Sequence, residues 1–142
     1  MTSLLDVNVL IALFDVDHSL HGTAMHWFTA NGADGWSSCP MTQNGCIRVM
    51  SHASYPNRFP VDAVVQRLRD ATRDRTHQFW PDEVSLLDQN KVDPSRIHGS
   101  RQITDVYLLA LAAHHRGRLV TFDRAISTDA VVGGGTAHLV KL

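Results

Sequence analysis

The chain has 142 residues, with 13 Lys and Arg against 14 Asp and Glu, a formal net charge of −1 and 44% hydrophobic residues. A chain of this length buries roughly 70% of its unfolded surface in a core, which predicts one domain over residues 1–142 and excludes a disordered or fibrous polypeptide. Two cysteines, Cys39 and Cys46, are too few for a disulfide framework and lack the paired spacing of a zinc site, so a reducing, cytoplasmic setting is expected.

The opening stretch MTSLLDVNVLIALF carries no Lys or Arg and holds Asp6 inside its apolar run, so it reads as core and not as a secretory leader. No window reaches the length of a membrane span, and no membrane partner is expected. Within that stretch Ser3 to Leu5 is a short strand ending at Asp6, and Val7, Leu10, Ile11 and Phe14 then recur at helical spacing. A second helix fits His21 to Ala30, ending near Asn31-Gly32. Gly35 to Cys39 is a strand stopped by Pro40, and Thr42 to Ser51 is a helix that Thr42 can cap. Val61, Val64, Val65 and Leu68 mark an amphipathic helix, His77 to Trp80 a strand, and Val84 to Leu87 the start of a short helix. Asn90 to Arg101 is a loop. Val106 to Ala113 is apolar all round, which predicts a central buried helix. Leu119 to Phe122 is a buried strand ending at Asp123, and His138 to Val140 is the last strand.

Strands alternating with helices predict an α/β fold with a mostly parallel central sheet flanked by helices, because parallel strands need helical crossovers. In such sheets ligands bind beyond the carboxyl ends of the strands, where strand order reverses. Asp6 follows the first strand and Asp123 a late one, and Asp105 opens the buried helix between them. Each of the three taken alone is explained by a helix cap or a turn. Brought together, three carboxylates repel one another unless a cation sits between them. Hard oxygen ligands select Mg²⁺ or Mn²⁺, and such sites hydrolyse or transfer phosphates. Asn8 and Thr104 add neutral oxygens nearby.

Eleven of the basic residues are Arg, which favours a phosphate-rich partner or reflects a GC-rich coding bias. His114-His115 invites a transition-metal reading, but neighbouring side chains on a helix point some 100° apart and cannot readily chelate one ion. Gly133-Gly134-Gly135 is a turn and not a phosphate loop, since no Lys-Ser/Thr follows it.

Three blocks, LLDVNVLIALFD, CPMTQNGCIRVMS and ITDVYLLALAAHHRGRLVTFDRAI, stand in an order and at separations that resemble the PIN-domain ribonucleases, in particular the VapC toxins of toxin–antitoxin pairs. The resemblance runs from Ser3 to about Val140. It implies a PIN-like three-layer sandwich and a metal-dependent endoribonuclease that cuts a single-stranded segment of a structured RNA and is silenced by a VapB-like antitoxin. It also implies a homodimer, with promoter DNA held only through the antitoxin. The metal ligands it implies are Asp6, Asp105 and Asp123, with Asn8, Thr104 and Thr121 in support. The apolar faces of the helices after Asp6 and after Thr42 would contact the antitoxin and a second copy. One position departs from the pattern: related sequences usually read TENG where this chain reads Thr42-Gln43-Asn44-Gly45. Gln43 can offer a carbonyl oxygen as a catalytic partner, yet the site loses a negative charge and should hold its cation more weakly. Asp15 or Asp129 would be the compensating groups.

Arg48, Arg101, Arg118 and Arg124 flank the blocks and are the candidate RNA phosphate contacts. The competing reading is a PIN-like module that binds RNA or protein without cleaving, its chemistry lost through Gln43. A receiver-like phosphoacceptor is disfavoured because the paired acids at one strand end and the late Lys it needs are missing.

Overall fold

A computed structural model describes residues 1–142. Five strands form one parallel sheet: β1 (Ser3–Leu5), β2 (Trp36–Ser38), β3 (His77–Phe79), β4 (Arg118–Thr121) and β5 (Leu139–Lys141). Their spatial order is β3-β2-β1-β4-β5. The chain therefore leaves β1 toward β2 and β3, then crosses back to lay β4 on the other side of β1. The topological switch falls between β1 and β4, where open parallel sheets gather their ligands.

Five helices cover the sheet: α1 (Val7–Phe14), α2 (His21–Asn31), α3 (Pro40–Met50), α4 (Val61–Thr72) and α5 (Ile103–His114). Side chains alternate across each strand, so consecutive residues feed opposite cores. Leu4 and Leu119 pack with α5 on one face, while Leu5 and Val120 pack with α1, Ala24, Cys46, Val64 and Leu68 on the other. The unbroken apolar run of α5 is explained by this position: Val106 to Ala112 are all buried. No helix is long and apolar enough to cross a membrane.

Several element ends, those of β2, β3, β4, α2 and α5 among them, lie one to three residues from the expected ones, and three further differences stand out. Helix α3 starts at Pro40, whose missing N–H costs nothing in the first turn, and Thr42 serves from its third position by accepting the Cys39 N–H at 3.0 Å. Val84 to Leu87 is a turn and not a helix, because the Ser85 hydroxyl accepts the Leu87 N–H and so competes with the helical pattern. Strand β5 begins one residue later than expected, after a single tight turn over Thr136–His138.

Gly45 fixes how closely α3 and α1 approach. A Cβ there would meet Val7 Cγ2 at 2.5 Å, so only glycine lets the helix following Asp6 seat against α3.

Candidate active site

The carboxyl ends of β1 and β4 are held together by one hydroxyl. Thr121 Oγ donates to Asp6 Oδ2 at 2.7 Å and accepts from the Asp123 N–H at 3.0 Å and from Asn8 Nδ2 at 3.3 Å. Asn8 Oδ1 accepts the Phe122 N–H at 3.2 Å, clamping the start of α1 to the end of β4. Asp6 also caps α1, its Oδ1 accepting from the Val7 N–H at 2.7 Å. Asp123 Oδ1 accepts the Ala125 N–H at 2.8 Å, which turns the chain sharply after β4.

Asp105 comes from the first turn of α5 and is only partly buried. Burial, the Asp6 charge and the Asp123 charge together push its carboxyl up to about 6. Asp6 is also raised, chiefly by burial and further by Asp123, against the opposing hydrogen bonds from Thr121 and Val7. With both strand-end carboxylates acting on Asp105, and Asp123 acting on Asp6, the three share one electrostatic neighbourhood. No Lys or Arg forms an ion pair with any of them. Concentrated negative charge on oxygen donors, without a protein cation to offset it, is the arrangement that suits a hard divalent ion.

Asp105 and Asp123 open onto a cleft of about 280 Å³, walled by Arg96, Arg101, Gln102, Val106, Ser127 and neighbouring residues. Arg101 thus faces the acidic site. Arg96 does so too and went unrecognised in the sequence, although it lies on the same polar loop. Thr104 is exposed on the first turn of α5.

Other expected residues lie elsewhere. Gln43 starts from the same edge of the sheet, but its Nε2 donates to Ser38 Oγ at 3.0 Å, and Ser38 Oγ is 2.8 Å from His77 Nε2. No hydrogen bond links it to Asp6, Asp105 or Asp123. Arg118 begins β4, so it sits at the opposite edge of the sheet from the carboxylates. There it donates to Ser3 Oγ at 2.9 Å and Asn31 Oδ1 at 3.4 Å and covers the Trp27 ring, a structural role that removes it from the RNA-facing set. Arg48 borders a separate surface pocket with His52 and Tyr55, and Arg124 donates to the Leu142 carbonyl. Asp15 does not compensate at the acidic site. It lies at the far end of α1, accepting from Tyr55 Oη at 2.5 Å and from the Asp17 N–H at 3.0 Å.

Comparison with known proteins gives the family and the fold. The family model for the PIN domain matches residues 3–130. Ribonuclease VapC44 of Mycobacterium tuberculosis is 49% identical over 142 residues, covering all of both chains. Ribonuclease VapC39 of the same organism is 41% identical over 134 residues, 94% of this chain and 96% of the relative. Among solved structures, a chain of the crystal structure of VapBC2 from Rickettsia felis bound to a DNA fragment from their promoter aligns with a TM-score of 0.54. That match covers 88% of this chain and 90% of the other at 11% identity, a likeness of fold. The chain belongs to the PIN-domain family, and within it to the VapC-type ribonucleases.

Proposed function

We propose that this protein is a Mg²⁺- or Mn²⁺-dependent endoribonuclease, the toxin of a VapBC-type toxin–antitoxin pair. One observation carries the reading: at the switch point of the sheet Asp6 and the Asp123 backbone share the Thr121 hydroxyl, and Asp105 lies close enough to both carboxylates for their charges, with burial, to push its own up to about 6. In this reading the three carboxylates hold the ion, and the donor set of hard oxygens fits it. When bound, such a cation supplies Lewis-acid chemistry, activating water and stabilising charge on phosphate oxygens.

The remaining work falls to the chain. Thr121 keeps Asp6 ionised and aimed by donating to it, and Asn8 fixes α1 against β4 so that the two strand-end carboxylates keep their spacing. Arg96 and Arg101 draw the RNA backbone into the cleft beside Asp105 and Asp123. Exposed bases of a single-stranded segment are better suited to this open cleft than a closed duplex. Gln43 acts at one remove, steadying the end of β2 through Ser38 instead of touching the ion.

A VapB-like antitoxin is the regulatory partner in this reading. Helix α1 leaves Leu10, Leu13 and Phe14 along an apolar cleft of about 360 Å³ shared with Met25, Phe28 and Trp36, a surface suited to an apolar antitoxin segment. Val49 of α3 is 38% exposed, and that face is the one proposed for a second copy. With a net charge of −1, the chain leaves promoter DNA to the antitoxin.

The test is incubation of the purified protein with total cellular RNA and Mg²⁺ or Mn²⁺, mapping new 5′ ends. Discrete cuts that vanish with chelator and in Asp6→Asn are expected. Undiminished cutting by Asp6→Asn overturns the assignment, and RNA binding without any cutting favours a non-cleaving module.

A further inference from the structure

A second group of potential ligands stands at the opposite edge of the sheet. From Asp105 to His114 helix α5 rises about 13 Å, so its last turn is remote from the acidic site. His114 ends the helix, and His115 is its C-cap with φ −85° and ψ 7°. The two adjacent rings nonetheless stand edge to face at this end of the helix. Their centroids are 5.1 Å apart with planes at 82°. Glu83, the only Glu in the chain, reaches them from the turn after β3. Its Oε1 lies 2.6 Å from His115 Nε2 and 3.7 Å from His114 Nε2, and one ligand atom from each residue falls within 4.8 Å of the others.

We propose that Glu83, His114 and His115 form a structural metal site for Zn²⁺ or a similar first-row cation, separate from the carboxylate site. Bonds of roughly 2.0–2.1 Å in a tetrahedron put neighbouring ligand atoms about 3.3 Å apart, between the two observed nitrogen–oxygen spacings. Two imidazoles with one carboxylate select zinc-like ions over Mg²⁺, and three protein ligands leave the fourth position to solvent. A further sign is His115 Nε2 itself: it is closed off from solvent and makes no hydrogen bond, its close polar neighbour being the Glu83 oxygen at 2.6 Å. A cation between nitrogen and oxygen would satisfy both. The rigid stack of His115 on Trp80, with centroids 4.2 Å apart and planes 10° apart, holds the ring ready. The negative end of the α5 dipole favours positive charge at this point.

Lys91 opposes the ion. Its Nζ lies 3.1 Å from His114 Nδ1, and by donating there it leaves the ring hydrogen on Nε2, the atom a metal must take. Binding therefore displaces that proton and swings Lys91 away. Once bound, the ion ties the turn carrying Glu83 to the end of α5.

The test titrates Zn²⁺ into metal-free protein against a chromogenic competitor, with Mg²⁺ in excess to fill the carboxylate site. A single equivalent is expected to bind, about tenfold or more weakly in Glu83→Gln and in His114→Ala, more tightly in Lys91→Met, and unchanged in Asp6→Asn. Co²⁺ in place of Zn²⁺ should quench Trp80 fluorescence in the wild type and not in Glu83→Gln or His114→Ala. These variants keep His115 on Trp80 and so preserve the local packing. Failure to bind Zn²⁺, or binding that survives Glu83→Gln and His114→Ala but disappears in Asp6→Asn, overturns the proposal. Neither readout depends on RNA cleavage.

Discussion

Asp6 and Thr121 are 115 residues apart in sequence and 2.7 Å apart in the fold, joined by a hydrogen bond from the threonine hydroxyl to the carboxylate. That hydroxyl also accepts the Asp123 N–H and one Asn8 amide hydrogen, so a single oxygen sets the relation of both strand-end carboxylates. Thr121→Val keeps the shape and removes all three bonds. The bond to the Asp6 carboxylate contributes about 1.5–3 kcal/mol in net terms, and Asp6 is buried. We expect a loss of about 2 kcal/mol in a urea titration together with weaker Mg²⁺ binding, both largely restored in Thr121→Ser. A Thr121→Val protein with wild-type cation affinity would show that the hydroxyl does not organise the site.

Asp105 gives stability an inverted pH dependence in the metal-free protein. Its folded value of about 6 lies above the ordinary carboxyl value of 3.8, so the folded state binds more protons across that window and stability falls as pH rises through it. Asp6, also raised, acts in the same direction. Because Asp105 is partly exposed, solvent screening limits its share to about 1 kcal/mol. Melting curves in chelator should decline between pH 4 and about 6 in the wild type and decline less in Asp105→Asn, which should melt about 3 °C higher at neutral pH. Adding Mg²⁺ should narrow the difference between the two proteins. Equal slopes without metal would contradict the proximity of the three carboxylates.

Gln43→Glu should be felt first at His77. The glutamine amide donates to Ser38, leaving the serine hydroxyl to donate to His77 Nε2, and burial already holds the His77 imidazole below its ordinary value. A carboxylate at position 43 reverses the chain: Ser38 donates to it, and His77 gains by protonating toward Ser38. NMR titration should show the His77 value rising by about one unit. No change at His77, with Mg²⁺ bound much more tightly, would mean that the new carboxylate turns to Asp6 instead.

Arg118 and Arg101 should separate stability from substrate binding. Arg118→Ala removes two hydrogen bonds and the Trp27 contact at the amino edge of the sheet, which should cost about 1–2 kcal/mol while leaving KM for RNA unchanged. Arg101→Ala should raise KM severalfold with little change in Tm. The opposite pattern would place the RNA path across the other edge.

Much of this was legible because it rests on local pattern. Apolar runs ending in Asp announced β1 and β4, and VYLLALAA announced the buried helix between two faces of side chains. What escaped depended on partners distant in the chain. Nothing near Gln43 foretells that its amide meets Ser38, whose hydroxyl meets His77. Arg118 flanks a motif block, yet as the first residue of its strand it emerges at the wrong edge for phosphate. Helical spacing sets the His114 and His115 rings apart, whereas the helix ends at the first of the two and the ring centroids lie 5.1 Å from each other. Ser85 breaks an expected helix through a side-chain turn that hydrophobic spacing cannot register.

The placement of β4 beside β1 has a kinetic consequence. These strands pair directly although more than a hundred residues intervene, so their union closes a very long loop and depends on the crossover back over the sheet. Contacts of such sequence separation carry a large entropic cost and form late. A refolding chain should therefore regain helicity well before it can gather its acidic trio, and the protein would pass through compact stages that are incapable of cutting anything.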